Sequence, residues 1–375
     1  MNSFLSAMSR RGVRFIRRVL GVDGLSQSSY QTQVSLRNLF EQHRTIINKL
    51  EKLNLSNASS RSETAITKFD RTENEPLPIP RVSVLVLAYN HEKFIAQALG
   101  SILMQQTSFY FEVVIGEDCS GDDTFSICSE FESRYPGRIL LLRREHNLGI
   151  NQNLRDTLNH CRGEYVALIE GDDFWIKTDK LQLQVDYMDA RPAYTMCGTS
   201  NFEWSEWNEG SMRIFRSLDY KNTISVHDVI AEKPYATATI LFRRGVVESL
   251  PTWLDGLEIG DLPLIFLHAE KGPLGYIPIV SAVYRQHSTS SFFPKPMSEK
   301  VSAAIKMLEC LDEHSTRRFH NQFLAAIGYR RSLAVESLLN ENDIDEARKW
   351  FEQGICDDPA NPNPMRIKTI ARRFN

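Results

Sequence analysis

The sequence predicts an α/β fold built on a mostly parallel sheet with helices on both faces. Two observations carry that prediction. From Arg81 onward, short apolar runs alternate with segments of helical periodicity, the strand-helix-strand series from which parallel sheets are built. Polar clusters also recur at the carboxyl end of one predicted strand after another, which is where such sheets bind ligands.

Residues 1 to about 78 stand apart from this pattern. Phe4, Leu5, Met8, Phe15, Ile16, Val19 and Leu20 recur at near-helical spacing beside Arg10, Arg11, Arg14, Arg17 and Arg18. Such a basic amphipathic helix suits an anionic membrane surface, or equally a helix packed on its own domain with its arginines in solvent. Leu36, Leu39, His43, Ile46, Leu50 and Leu53 keep an alternating three-four spacing, a short coiled-coil seam that makes residues 36–53 a candidate homodimer contact. The stretch 54–80, rich in Ser, Thr, Asn and charge and ending PLPIP, reads as a linker.

The runs VSVLVLAY, FEVVIG, RILLLRR and YVALIEG follow as strands. Helices are expected between them from about Glu92, from about Asp122, and over Ile150, Leu154, Leu158 and Cys161. Residues from about 298 to 358 are helix-like, and DIDEARKWFEQGICDDPANP has the look of the second helix of a tetratricopeptide-type repeat. A single copy cannot bury a repeat core, so a helical appendage is the simpler reading. The expected organisation is an N-terminal extension over 1–78, an α/β domain over 79–295 and a helical region over 296–375.

The chain of 375 residues has room for two or three such units, and 42% hydrophobic residues exclude wholesale disorder. Forty-four Lys and Arg stand against 47 Asp and Glu, so no overall charge favours binding along a nucleic acid. The six cysteines lie singly, without CxxC spacing, and read as reduced thiols. The longest apolar run, Val84 to Tyr89, is far below the roughly 20 residues of a membrane span, and the Arg-rich start lacks a signal-peptide pattern. The expected location is cytoplasmic, with peripheral attachment to the cytoplasmic membrane face through that start.

Ala88, Tyr89 and Asn90 follow the first strand, Glu117 and Asp118 the second, and Glu170, Gly171, Asp172 and Asp173 the fourth. One acidic pair after a strand is commonly a cap or a turn. Two clusters are harder to dismiss, because neighbouring carboxylates raise one another's pKa unless a cation or hydrogen-bond donors compensate. Mn2+ or Mg2+ is the natural compensation, and Mg2+ is usually held by one or two carboxylates together with substrate phosphates. The chain lacks GxxxxGK[ST] and has LAYNHEKF in place of GxGxxG after its first strand, so contact with a nucleotide diphosphate is expected mostly through the metal.

At these residues the sequence resembles a known family. PRVSVLVLAYNHEKFIAQALGSIL, FEVVIGEDCSGDDT, HNLGINQNL and CRGEYVALIEGDDFWIKTDKLQLQVDYMDARP are similar to the nucleotide-sugar half of bacterial family 2 glycosyltransferases of the GT-A fold. The resemblance runs almost unbroken from Arg81 to Pro192, and GEDCS, EGDDFW and DKLQLQ make it specific. PYATATILFRR, EIGDLPLIFLHAEKG and VYRQH resemble the acceptor-side half, to about residue 295.

The resemblance implies roles. Ala88, Tyr89 and Asn90 would line the base pocket, with Asp118 accepting a hydrogen bond from the base and Glu117 beside it. Asp172 would hold the ribose or reach the metal through water, and Asp173 would coordinate the metal at the diphosphate. Glu170 stands where many relatives have the first Asp of a DxD motif, one methylene longer. Asp261 matches the catalytic base, while its setting before Pro263, Leu264, Phe266 and Leu267 also makes a good helix N-cap. His287 is a candidate third metal ligand or diphosphate contact, and Gly149 a turn residue with nucleotide contact. Trp175 either stacks on an acceptor or sugar or braces its loop. Arg285 and Lys180 either face the phosphates or sit in solvent.

The implied activity is a metal-dependent, inverting glycosyl transfer of hexosyltransferase type. A nucleotide-diphospho-sugar would be the donor and a glycan or lipid-linked hydroxyl the acceptor, in assembly of bacterial surface polysaccharide or glycolipid. A nucleotidyltransferase would need a Gly-rich basic loop that LAYNHEKF does not supply. A catalytically inactive, nucleotide-binding scaffold of the same fold is the other alternative, suggested by Glu170.

Overall fold

The computed structural model describes residues 78–207, 212–290, 292 and 294–357. The membrane-facing helix and the homodimer seam expected before residue 54 lie outside the described residues. Four strands open the fold: β1 (Val82–Ala88), β2 (Phe111–Glu117), β3 (Ile139–Arg143) and β4 (Tyr165–Glu170). They pair in parallel in the order β3-β2-β1-β4. The connecting helices are α1 (Ile95–Leu103), α2 (Thr124–Arg134) and α3 (Ile150–Asn159).

Both faces of these strands are covered, which is why their sequences read as continuous apolar runs with no polar alternation. On β1, Val82, Val84 and Val86 pack in one cluster with Ile95, Leu99 and Ile102 of α1. Leu85 and Leu87 turn the other way, into a cluster that contains Leu154 of α3. α1 starts later than expected, at Ile95, because the chain first makes a turn in which the Phe94 and Ile95 N–H groups both bond the His91 carbonyl. α2 starts at Thr124, since the Asp122 carboxylate accepts the Thr124 N–H (3.0 Å) and the Glu92 N–H (3.0 Å), tying the two helix starts together.

The second half adds β5 (Phe174–Trp175), α4 (Lys180–Asp189), β6 (Met196–Ser205), β7 (Met212–Ile214), β8 (Thr223–Ile224), α5 (Val226–Ala231), β9 (Leu241–Arg243), α6 (Asp261–Lys271) and β10 (Leu274–Gln286). The sheet continues past β4 as β9-β6-β10-β5. β6 and β10 form a long parallel ladder, whereas each antiparallel pairing spans only two or three residues. The sheet is therefore mostly parallel by length of pairing. Its short antiparallel insert, β9, is too brief to show any periodicity of its own.

Helices α7 (Met297–His314), α8 (His320–Asn340) and α9 (Ile344–Asp357) follow. Val301, Leu308 and Leu311 of α7 and Phe323 and Ile327 of α8 share one core cluster with Phe266 of α6 and Leu168 of β4. The apolar core is thus continuous from the sheet into these helices. α8 and α9 pack through Val335, Leu338, Leu339 and Ala347. No helix among the described residues is long and apolar enough to cross a membrane. Cys119, Cys128, Cys161, Cys197 and Cys310 are free thiols.

Candidate active site

Strand register brings the three polar clusters side by side. Ala88 at the end of β1 pairs with Glu117 at the end of β2, and Leu87 pairs with Glu170 at the end of β4. Beyond Glu170 the chain turns over Gly171, whose N–H donates to the Leu87 carbonyl (2.8 Å). A Cβ there would come within 2.7 Å of Ile95 Cδ1 and 2.8 Å of His91 Nδ1, so glycine is what lets the acidic segment approach β1.

Glu170, Asp172 and Asp173 each offer an oxygen within 4.8 Å of the others. Asp173 is fully buried, with Oδ1 accepting the Arg285 N–H at 2.9 Å. Asp172 Oδ2 lies 3.1 Å from His287 Nε2 and 3.7 Å from His91 Nε2. Asp172 Oδ1 and Asp173 Oδ2 are buried without a partner. Burial and the charges of Asp172 and Asp261 push Glu170 up to about 8, and burial with Asp172 and Glu170 holds Asp173 well above the usual carboxylate range. Burial would also raise Asp172, but His91 and His287 outweigh it and keep that carboxylate low. Buried oxygens without donors on Asp172 and Asp173, beside a third carboxylate, are the hard ligands that Mn2+ or Mg2+ prefers, and the cluster fits such an ion.

His287 stands directly beside this group. Its Nε2 faces Asp172 and its Nδ1 faces Thr289 Oγ1 at 2.9 Å, with the ring against Phe94, so it orients Asp172. Arg285 does not face open phosphate space either: its guanidinium donates to the Asp172 carbonyl and to Gln97 Oε1, between the Phe94 and Phe174 rings. Lys180 is fully buried, bonded to Gln184 Oε1 at 2.7 Å over the Trp175 ring, and burial pushes its ammonium down to about 7. Trp175 takes the second of its two expected roles. It is 1% exposed and its indole N–H donates to the Ala238 carbonyl at 2.8 Å, so it braces the core and is closed to a sugar or acceptor.

A second group forms around β1 and β2. Asp118 accepts the N–H groups of Leu148 (2.7 Å) and Gly149 (3.0 Å), which fixes the turn before α3. Gly149, at φ +81°, occupies a conformation that favours glycine. Asn90 also has a positive φ, and its Oδ1 accepts the Gly121 N–H at 2.9 Å, joining the loops after β1 and β2. Tyr89 is 44% exposed beside it. Ala88 packs its methyl into the core and Glu117 accepts the Ser120 N–H at 2.7 Å; both side chains are buried, and they support this edge of the sheet.

Asp261 is the first residue of α6, and Gly260, not Asp261, takes the N-cap position. Gly260 is held close to Asn151, whose Nδ2 donates to the Leu254 (2.9 Å) and Leu257 (2.7 Å) carbonyls. The Asp261 carboxylate accepts from Thr237 Oγ1 at 2.9 Å and pairs with the Lys233 ammonium, and its other oxygen receives the Leu262 N–H at 2.7 Å. Burial would raise it, but Lys233 and these hydrogen bonds hold it below the usual range. His91, Lys233, Thr237 and Tyr284 are site residues that sequence reasoning missed. Burial, with the charges of Glu170, Asp173, Asp172 and Asp261, pushes the Tyr284 phenol up. His91 lies inside LAYNHEKF, Thr237 inside PYATATILFRR and Tyr284 inside VYRQH, which was their only signal; Lys233 directly precedes PYATATILFRR. A cavity of about 160 Å³ between α3, β9 and α6, lined by Leu158, Phe242 and His268 among others, includes none of these residues.

A sheet of this topology with an acidic cluster at its strand ends is the GT-A fold of nucleotide-sugar transferases. The family model for "Glycosyl transferase family 2" matches residues 83–250, and the chain belongs to that family. A Bacillus subtilis (strain 168) protein named as a teichuronic acid biosynthesis glycosyltransferase, TuaG, is 34% identical over 192 residues, 48% of this chain and 73% of the relative. An uncharacterized protein of Mycobacterium tuberculosis (strain H37Rv) is 32% identical over 212 residues, 55% of this chain. The match spans 59% of that mycobacterial relative's own length. Among solved structures, S. aureus TarS 1-349 is similar with a TM-score of 0.53 at 17% identity, over 78% of this chain and 88% of TarS, and a second structure of it holds UDP-GlcNAc.

Proposed function

We propose that this chain is a metal-dependent, inverting glycosyltransferase that moves one sugar from a nucleotide-diphospho-sugar to an acceptor hydroxyl during assembly of a surface polysaccharide or glycolipid. The observation that carries the reading is the convergence of Glu170, Asp172 and Asp173 at the strand ends with Asp261 at the start of α6, Thr237 standing between β4 and that carboxylate. Relatives named for polysaccharide assembly and the donor held by TarS support the substrate class.

Asp173 and Asp172, with Glu170 beside them, would hold Mn2+ or Mg2+, which when bound supplies Lewis-acid neutralisation of charge on a departing diphosphate. The chain's own residues do the rest. Asn90, Asp118 and Gly149 set the loop edge where the nucleoside would lie. His91 and His287 keep Asp172 ionised and oriented. Asp261 takes the proton of the acceptor hydroxyl as its oxygen attacks the anomeric carbon from the side opposite the diphosphate. One in-line displacement inverts that centre, and general-base help of this kind is worth about 10² to 10⁴ in rate.

Thermal melts of the full chain with nucleoside diphosphates and nucleotide-sugars, in Mn2+, Mg2+ or EDTA, test the reading. A metal-dependent rise with one donor supports it, because a ligand bound only to the native state stabilises by mass action. No shift with any donor in either metal rejects it.

A further inference from the structure

Three donors converge on the two oxygens of Asp261, one of them the Lys233 ammonium. A carboxylate so engaged is a poor acceptor for a hydroxyl proton, so the arrangement seen is not the one in which Asp261 acts as a base. Lys233 sits in the segment between α5 and the single turn Thr237–Thr239, which packs on β4. Its backbone is anchored, since the Lys233 carbonyl accepts Arg216 Nη2 at 2.5 Å, while its side chain remains 36% exposed. The two other cations considered for the phosphates, Arg285 and Lys180, are buried and bonded elsewhere.

We propose that Lys233 binds the donor's diphosphate and is held on Asp261 until that diphosphate arrives. This rests on the glycosyltransferase reading and adds to it a residue and an order of events. The diphosphate draws the ammonium away from Asp261, so the base is freed only once the donor is in place. Two facts support the transfer. A lysine is a flexible point charge on a four-carbon stem, able to change partners without moving the backbone. The ammonium pairs directly with Asp261 beside the acidic cluster, and Asp261, Glu170 and Asp173 together outweigh the lowering effect of burial, so it keeps its charge.

The test is a double-mutant cycle on the full chain, read as binding of UDP and GDP, with UMP and GMP as controls, in Mn2+ and in EDTA. Lys233→Met is expected to weaken nucleoside diphosphate binding by roughly tenfold and monophosphate binding far less, the loss of one charge-assisted contact. Lys233→Arg is expected to recover most of it. Asp261→Asn is expected to tighten diphosphate binding several-fold by removing the competitor for Lys233, and that gain should vanish in the Lys233→Met background. If Lys233→Met binds diphosphates like the wild type, the proposal is wrong while the transferase reading stands. An Asp261→Asn gain that persists undiminished without Lys233 would come from the general field of the site and also overturns it. Wild type that binds no nucleoside diphosphate removes both readings together.

Discussion

The imidazole of His287 meets the carboxylate of Asp172 at 3.1 Å, although 115 residues separate them in the chain. The contact closes the acidic cluster from behind, through the end of β10. His287→Ala would leave Asp172 Oδ2 with only the more distant His91 and open space beside Phe94. The expected result is a loss of about 1–3 kcal/mol in stability by denaturant melts, the usual cost of orphaning a buried polar group, together with weaker Mn2+-dependent nucleotide binding. His287→Gln, which can still donate, should recover part of the binding.

Asp261→Asn should keep the fold and the donor, since asparagine retains the shape and the oxygen that Leu262 or Thr237 can bond. Turnover should fall by about 10² to 10⁴. Purified variant transferring sugar at near wild-type rate would show that another group takes the proton.

Glu170 gives the pH dependence a definite sign. Its pKa rises from 4.5 in the unfolded chain to about 8 in the folded one, so between those values the native state binds the extra proton. Stability without metal should therefore be fully present below about 4.5 and decline as pH rises toward 8, as far as this group is concerned. Glu170→Gln should flatten that decline in thermal melts from pH 5 to 8. Mn2+ binding should run the opposite way, strengthening as pH rises, because the ion must displace the proton.

Trp175→Ala should cost about 3–5 kcal/mol of stability, as large-to-small substitutions of buried aromatics do. Trp175→Phe should cost less, losing the bond to the Ala238 carbonyl but keeping most of the volume. Neither change should alter acceptor preference once the protein is folded. A change in acceptor preference with unchanged melting would return Trp175 to the binding surface.

Much of the site was legible because its parts are local. A core strand and the polar residues that follow it are contiguous in the chain, so Asn90, Asp118 and the Glu170-Gly171-Asp172-Asp173 segment carry their position with them. Asp261 was legible through the family resemblance; its local pattern read as a helix cap, a position that Gly260 holds. The masking of a role by residue type is clearest at Trp175 and Lys180. An aromatic and a lysine next to an acidic cluster suggest sugar and phosphate contacts, but here they pack on each other, buried, at 4.1 Å.

The sequence by itself determined the α/β architecture, the parallel half of the sheet from β1 to β4 and the strand ends at which chemistry would gather. Apolar runs and helical periodicity are properties of neighbouring residues, and they survive without knowledge of the rest of the chain. Only the tertiary structure decided that β9 inserts antiparallel beside β4, that β10 returns His287 to Asp172, and that Lys233 reaches Asp261. Each of these joins residues far apart in the chain through strand register and packing, and neither composition nor periodicity contains that information. The same physics separates two of the site's carboxylates: Asp261 is held low by a lysine no pattern singled out, and Asp173 is held high chiefly by the depth at which the sheet buries it.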